Sequence, residues 1–369
     1  MSSKIPETVF FIYITILGCA SIFAFYSRIS KGLNKLLYLS LSIPLILFTA
    51  FRPMGLMRDD SWYAMTIPAI QSYSLTEKVF SLRDPLWYLM AYLITKISEN
   101  VEVLLYFAGA ILFVKLLILY KTAGTNRLLA LFVYACVFWQ LHDLTQFRVS
   151  ISVLMFMMFF YFIKFDRMKT AKSFLVLSAF FHSQALLNFL FLINTRVIKK
   201  KLFTIMVCCF LLATAIGLIV NSYMIKLLSF FAFGDENSNQ IARTLNAYQQ
   251  FLAQGVYSNT LRLPLILLSS SIIYLFVINA IDKIIYLQPI NQQAVKSIIF
   301  AVMLSWLFAS ISDIQVRFYE YYFVGGLFLI ESVKSRVAYN SYLMLAILYF
   351  AKLNILWNVW DIDMLNSLF

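Results

Sequence analysis

The sequence predicts an all-α, polytopic integral membrane protein with about 11–13 membrane-spanning or re-entrant helices. Three observations carry this. The 369 residues are 62% hydrophobic and 17% aromatic, and only 13% are charged. Mean hydropathy is +0.82, well outside the range of a water-soluble domain. Apolar stretches near the roughly 20 residues that a helix needs to cross hydrocarbon recur from end to end, rather than once as an anchor would. Residues 1–369 are therefore expected to form a single transmembrane domain, with external loops at about 52–100 and 221–260.

The first apolar stretch, 8–26, meets Arg28, Lys31 and Lys35 with no small-residue cleavage site before them, and is expected to be a retained helix. A second helix follows at 36–51, and then the polar stretch FRPMGLMRDDSWYAM. DPLWYLMAYLITKI, 84–97, is short and aromatic, and suits a thin span, an interfacial helix or a re-entrant one. Further helices are expected at 101–120, 127–141, 147–163, 173–193, 202–220, 261–281, 297–311, 320–332 and 338–357. No fixed-period or inverted repeat is visible. The four cysteines, Cys19, Cys136, Cys208 and Cys209, lie in apolar segments without metal-site spacing, and no metal or other cofactor is expected.

The charge balance is +13. In a membrane chain such an excess marks cytoplasmic loops rather than a nucleic-acid surface. Basic clusters at Arg28/Lys31/Lys35, Lys121/Arg127, Lys164/Arg167/Lys169/Lys172, Lys199/Lys200/Lys201, Lys283/Lys296 and Lys334/Arg336 are the natural inner loops. The segments between them, 52–60, 142–148, 221–260 and 312–320, then face outward. Helix 173–193 breaks the alternation, because basic clusters flank both its ends.

Removing the inner clusters leaves a short set of charged and polar groups at the outer helix ends: Arg52, Arg58, Asp59, Asp60, Arg83, Asp84, His142, Asp143, Gln146, Arg148, Asp313, Arg317 and Glu320. Ionisable groups near hydrocarbon cost several kcal/mol unless they pair or face a wet cavity, so a set recurring on one face points to a shared polar site. Capping and snorkelling account for any single member. Arginine predominates outside and lysine inside. The planar guanidinium fork holds phosphate oxygens bidentately, so a lipid-linked, anionic ligand such as a lipid diphosphate fits this side, and nucleic acid does not.

These residues also fall into an ordered pattern. Arg52, Gly55, Asp59-Asp60 and Tyr63 follow an early helix, and Asp84-Pro85 precedes Leu-Trp-Tyr. Gln146-Phe-Arg148 opens a helix, Phe181-His182-Ser183 lies in the next, and Arg317 and Tyr319 come late. Over roughly 10–335 the chain resembles the EpsG-like family, which contains exopolysaccharide and O-antigen polymerases of the Wzy type. It departs from the family pattern at Asp84, where a glutamate is expected, and in VSISVLM after Arg148, where a small residue such as alanine is usual.

The resemblance implies a GT-C-like membrane glycosyltransferase in the bacterial inner (plasma) membrane, with its active site facing the periplasm. It would transfer a growing glycan from undecaprenyl diphosphate to the non-reducing end of a new lipid-linked repeat unit, with a chain-length regulator protein as partner. Tyr63, Asp84 and Gln146 would then line the substrate, with Arg52, Arg58, Arg148 and Arg317 as diphosphate ligands. Departure of the diphosphate needs preformed positive charge, and the incoming hydroxyl needs a base. Asp59, Asp60, Glu320 and His182 compete for that second role. Carboxylates beside arginines stay ionised and make weak bases, whereas histidine titrates near neutrality. His182 is equally suited to bonding Ser183, Gln184 or a neighbouring helix, and His142 reads as an interfacial residue. The amide-rich loop 233–259, with Asp235 and Glu236, is a candidate acceptor-glycan contact. An O-antigen ligase shares donor and fold, and a lipid-linked oligosaccharide flippase shares the charged cavity. A membrane acyltransferase would use a histidine but would not need the outer arginines.

Overall fold

A computed structural model of the chain describes residues 4–57, 59–71, 84–98, 100–192, 288–307, 312–351 and 353–354, and every regular element among them is helical. In order they are α1 (Lys4–Tyr26), α2 (Lys31–Phe51), α3 (Asp60–Gln71), α4 (Pro85–Ile97), α5 (Val103–Thr122), α6 (Arg127–Tyr134), a π-helical stretch (Ala135–Thr145), α7 (Phe147–Lys164), α8 (Met168–Phe181), a 3₁₀ stretch (Ser183–Leu192), α9 (Pro289–Leu307), α10 (Ser312–Phe323), a second 3₁₀ stretch (Val324–Ser332) and α11 (Arg336–Ala351). Among the described residues, Thr8–Tyr26, Lys31–Phe51, Val103–Thr122, Gly124–Thr145 and Phe147–Lys164 are long and apolar enough to cross a membrane. The protein is thus an all-α, multi-pass membrane protein. The expected helices 202–220 and 261–281, the loop 221–260, Arg58 and Arg83 lie outside the described residues.

Two compact units divide the chain. The first comprises Met1–Ile193, Asp282–Val295 and Val324–Phe369. Within it α2 packs on α5 through small residues: a Cβ on Gly109 would stand 2.7 Å from the Cβ of Ala50, so the two backbones come closer than any larger residue would allow. Polar side chains pin the neighbouring spans. Tyr38 donates to the Leu116 carbonyl at 2.7 Å, and Trp139 Nε1 donates to Thr49 Oγ1 at 2.9 Å. Lipid cannot solvate such groups, so each finds its partner in the protein.

Three expected helices depart from uniform α geometry. The 127–141 segment changes after Tyr134 into a wholly buried π-helix, and the Gln146 N–H reaches back five residues to the Leu141 carbonyl at 2.8 Å. The 173–193 segment stops at Phe181, where His182 takes an extended conformation (φ −154°, ψ 129°), and continues as a 3₁₀ helix. The 320–332 segment is the end of α10 followed by a 3₁₀ stretch. At 13 residues α4 extends about 20 Å, short of the roughly 30 Å hydrocarbon core.

Two helices define the faces of this unit. Helix α2 runs from Lys31 to Arg52 at its cap, and α7 carries Arg148 in its first turn and Lys164 at its end. Either helix extends about 30 Å, so Arg52 and Arg148 lie at the opposite end of this unit from Lys31 and Lys164. At the basic end Lys164 Nζ meets Glu331 at 2.5 Å and the Thr122 carbonyl at 2.9 Å, while the Asn126 amide donates to the Ile330 and Val333 carbonyls, each at 2.8 Å.

The second unit comprises Asn194–Ile281 and Lys296–Phe323. Within it Ser297 donates to the Tyr322 carbonyl, and Tyr319 stacks on Phe323 with centroids 5.3 Å apart. Glu320 is buried there and Arg317 is half-buried.

Candidate functional site

Helix α2 ends at Arg52 because Pro53 follows and pushes the chain into extended geometry; the Arg52 N–H caps the helix on the Phe48 carbonyl. The turn that follows folds around one carboxylate. Asp60 receives both terminal nitrogens of Arg52 in a fork, with Nη2 to Oδ1 at 2.7 Å. Its Oδ2 also accepts the Gly55 and Met57 N–H groups, each at 3.0 Å. Gly55 has φ +96°, a conformation that favours glycine. Arg52 Nη2 further donates to the Leu144 carbonyl at 2.7 Å, which ties this turn to the end of the π-helix. Both side chains of the pair are only 2% exposed, so the pair is a buried structural clasp. The pair of acids therefore separates: Asp60 is consumed by four donors, while Asp59 is half-buried one residue earlier.

Arg148 is placed differently. It opens α7 after Gln146 and Phe147, and its side chain is 20% exposed. Its Nη1 lies 3.2 Å from Asp84 Oδ2, and its guanidinium lies over the Trp62 ring, 4.3 Å from the centroid. Asp84 is held in the left-handed region (φ 57°, ψ 49°), disfavoured for a non-glycine residue and more so before proline. It precedes α4 in the N-cap position but makes no side-chain cap bond, and its carboxylate is turned to Arg148 instead. Backbone strain that serves a side-chain contact is what functional sites accumulate.

Beneath this pair lies an aromatic floor. Tyr63, Trp87 and Phe147 meet edge to face, with centroids 5.6–6.4 Å apart, and Phe181 packs against the same cluster. The Arg148 N–H donates to the Tyr63 hydroxyl at 3.3 Å. Burial pushes the Tyr63 phenol well above its ordinary range, and the Arg148 charge only partly opposes this, so the phenol stays protonated. Three buried polar atoms at this end lack a hydrogen-bond partner among the described residues, Gln146 Oε1, Trp87 Nε1 and Arg52 Nε. One acceptor and two donors near the partly exposed Arg148 guanidinium suit a ligand carrying hydroxyls and anionic oxygens.

Beneath the site lies a cluster of which the sequence singles out only Asp143. Lys115 Nζ meets Asp143 Oδ1 at 2.6 Å and Ser150 Oγ at 2.7 Å; Ser150 Oγ reaches the same Oδ1 at 2.6 Å, and Tyr134 donates to Oδ2 at 2.5 Å. Lys115 and Asp143 are fully buried. The signal was legible: Lys115 stands alone inside the apolar run AILFVKLLIL, where a cation demands a partner. Asp143 adjoins Leu144, whose carbonyl holds Arg52, so the cluster fixes the π-helix end from which Gln146 and Arg148 project. A small cavity is lined by Arg52, Asp60, Tyr63, Asp143 and Thr145.

Of the predicted site residues, Arg52, Asp60, Tyr63, Asp84, Gln146 and Arg148 gather at one end of the first unit, with Asp59 beside Tyr63. His182 follows Phe181 and is buried there. His142, read as interfacial, is instead only 1% exposed, beside Phe138. Arg317 and Glu320 belong to the second unit, and Arg58 is outside the described residues. No group of three or more His, Cys, Asp or Glu arranged to hold a metal occurs among the described residues.

Compared with known families, the chain matches the EpsG family over residues 35–366, nearly its whole length. No curated protein and no solved structure matches it.

Proposed function

The chain belongs to the EpsG family, and on that premise we propose that it is a polysaccharide polymerase, a membrane glycosyltransferase whose donor is a glycan on undecaprenyl diphosphate. The observation that carries this reading is Arg148: a guanidinium one-fifth exposed, held between a strained Asp84 and the face of Trp62, at the end opposite Lys31 and Lys164. A preorganised arginine stabilises charge developing on a diphosphate without having to reorganise during the reaction. Arg52, locked on Asp60, shapes the turn and adds to the local field rather than gripping the leaving group.

In the proposed reaction the hydroxyl at the non-reducing end of a new repeat unit attacks the anomeric carbon of the donor glycan. The carbon–oxygen bond to the diphosphate breaks, undecaprenyl diphosphate departs with the electron pair, and the hydroxyl proton passes to a base. Asp59 suits that base as a half-buried carboxylate beside Tyr63; His182 is the second candidate. Gln146 and Tyr63 would orient sugar hydroxyls. The site would face the periplasm of the inner membrane, since Lys31 and Lys164 lie at the other end.

The test is a gel of cell-surface polysaccharide from a strain lacking its own polymerase, with and without this gene. A ladder of many repeats that needs the gene supports polymerisation. Single repeats that reach the surface only with the gene would favour ligation or flipping and overturn the reading.

A further inference from the structure

We propose that the basic end of the first unit holds a second site, which binds the headgroup of an anionic phospholipid in the leaflet on that side. A cavity of about 720 Å³ opens there, lined by Arg28, Lys31, Arg127, Lys334 and Arg336 and by no acidic residue. Positive-inside sorting explains basic residues in loops, but it requires no cavity.

The placement of the cations argues further. Lys31, Arg127 and Arg336 are each the first residue of a helix, α2, α6 and α11. The N-terminal end of a helix dipole is positive and favours acids, so basic residues at three converging N-termini oppose the local preference and compound a positive field. An anion in the cavity would neutralise both the side chains and the dipole ends. Arg28 adds a residue in the left-handed region, φ 47°, at the end of α1. Arg28, Lys31 and Lys334 form no ion pair with a described residue, and the nearby Glu331 is turned to Lys164.

A second, independent observation is Asn34. It lines the cavity, is only 7% exposed, and spends Nδ2 on the Thr125 carbonyl at 2.9 Å, leaving Oδ1 without a hydrogen-bond partner among the described residues. A buried acceptor in a cationic cavity asks for a hydroxyl donor attached to an anion, which a phosphodiester with a glycerol headgroup supplies. A lipid is the source because Tyr26, Leu33 and Val337, on the helices that frame the cavity, are 44%, 41% and 74% exposed and present an apolar rim where acyl chains would continue.

The experiment is native mass spectrometry of the purified full-length protein titrated with phosphatidylglycerol or phosphatidylcholine. Two charge-matched triple variants are compared: Arg28→Gln/Lys31→Gln/Arg336→Gln in the cavity, and Lys35→Gln/Lys121→Gln/Lys172→Gln outside it. Wild type and the outer triple should retain phosphatidylglycerol over phosphatidylcholine. The cavity triple should lose about a hundredfold in affinity, since each basic residue near an anionic headgroup contributes about fivefold. Equal loss in both triples would reduce the effect to a diffuse field, and equal retention of the two lipids would remove the site. Displacement of the lipid by millimolar inorganic phosphate would reassign the cavity to free phosphate.

Discussion

Replacing both members of the buried Lys115–Asp143 pair with apolar residues should cost about as much as replacing either one alone. Lys115→Met leaves the Asp143 carboxylate with only Ser150 and Tyr134, and Asp143→Leu leaves an ammonium with no anion in a site that is fully buried. Breaking a buried pair from one side costs about 3–5 kcal/mol. Two independent losses of that size would consume most of a typical stability of about 5–15 kcal/mol. The double variant removes both charges and strands only the Ser150 and Tyr134 hydroxyls, at about 1–3 kcal/mol each. It should therefore sit near either single variant, several kcal/mol better than additivity. At about 1–2 °C per kcal/mol for a chain of this length, each single lowers the unfolding midpoint in detergent by about 3–10 °C, and the double by a similar amount. The assay is the midpoint of thermal unfolding of the three purified variants beside wild type. Additive losses, or a Lys115→Met protein as stable as wild type, would refute the view that this pair is a coupled unit supporting the π-helix.

Three further outcomes follow from the geometry. Asp60→Asn should destabilise by about 3–5 kcal/mol, because Arg52 is left buried and unpaired, while Asp59→Asn should leave protein levels unchanged and lower polymer output by about 10²–10⁴-fold if it is the base; immunoblots beside polysaccharide gels separate the two. Asp84→Gly relieves a left-handed aspartate yet frees Arg148, so the unfolding midpoint should hold or rise while polymer output falls; unaltered ladders would count against the strain argument. Gly109→Ala should cost about 1–3 kcal/mol by overpacking α2 against α5, and Ala50→Gly in the same chain should restore the melting midpoint.

The membrane class, most of the helices and the partition of charges were legible in the sequence because each is a property of composition along the chain. The two ends of α2 show why: Lys31 and Arg52 stand 21 residues apart, and their opposite faces follow from length alone. Where helices change character was not legible. The π-helix at Ala135–Thr145 and the break at His182 carry no proline or glycine, and arise where packing overrides propensity. The site was half legible. Arg52, Asp60, Asp84 and Arg148 could be selected as outer charges, but which arginine is locked and which is open depends on partners distant in sequence, such as Leu144 for Arg52 and Trp62 for Arg148. Lys115 was visible as a lone cation in an apolar run, yet Asp143, Ser150 and Tyr134 come from three later helical stretches and could be found only in three dimensions.

The central claim is that Arg148 stabilises a departing lipid diphosphate. It is tested most directly by reconstituting the purified protein with an undecaprenyl-diphosphate-linked repeat unit and measuring glycan length together with released undecaprenyl diphosphate. Wild type should build a ladder and release one lipid diphosphate per bond formed. Arg148→Ala should be slower by about 10²–10³-fold, as for loss of one preorganised electrostatic donor, and Arg148→Lys should recover little, since a lysine lacks the planar fork. An Arg148→Ala protein that elongates at the wild-type rate would contradict the account.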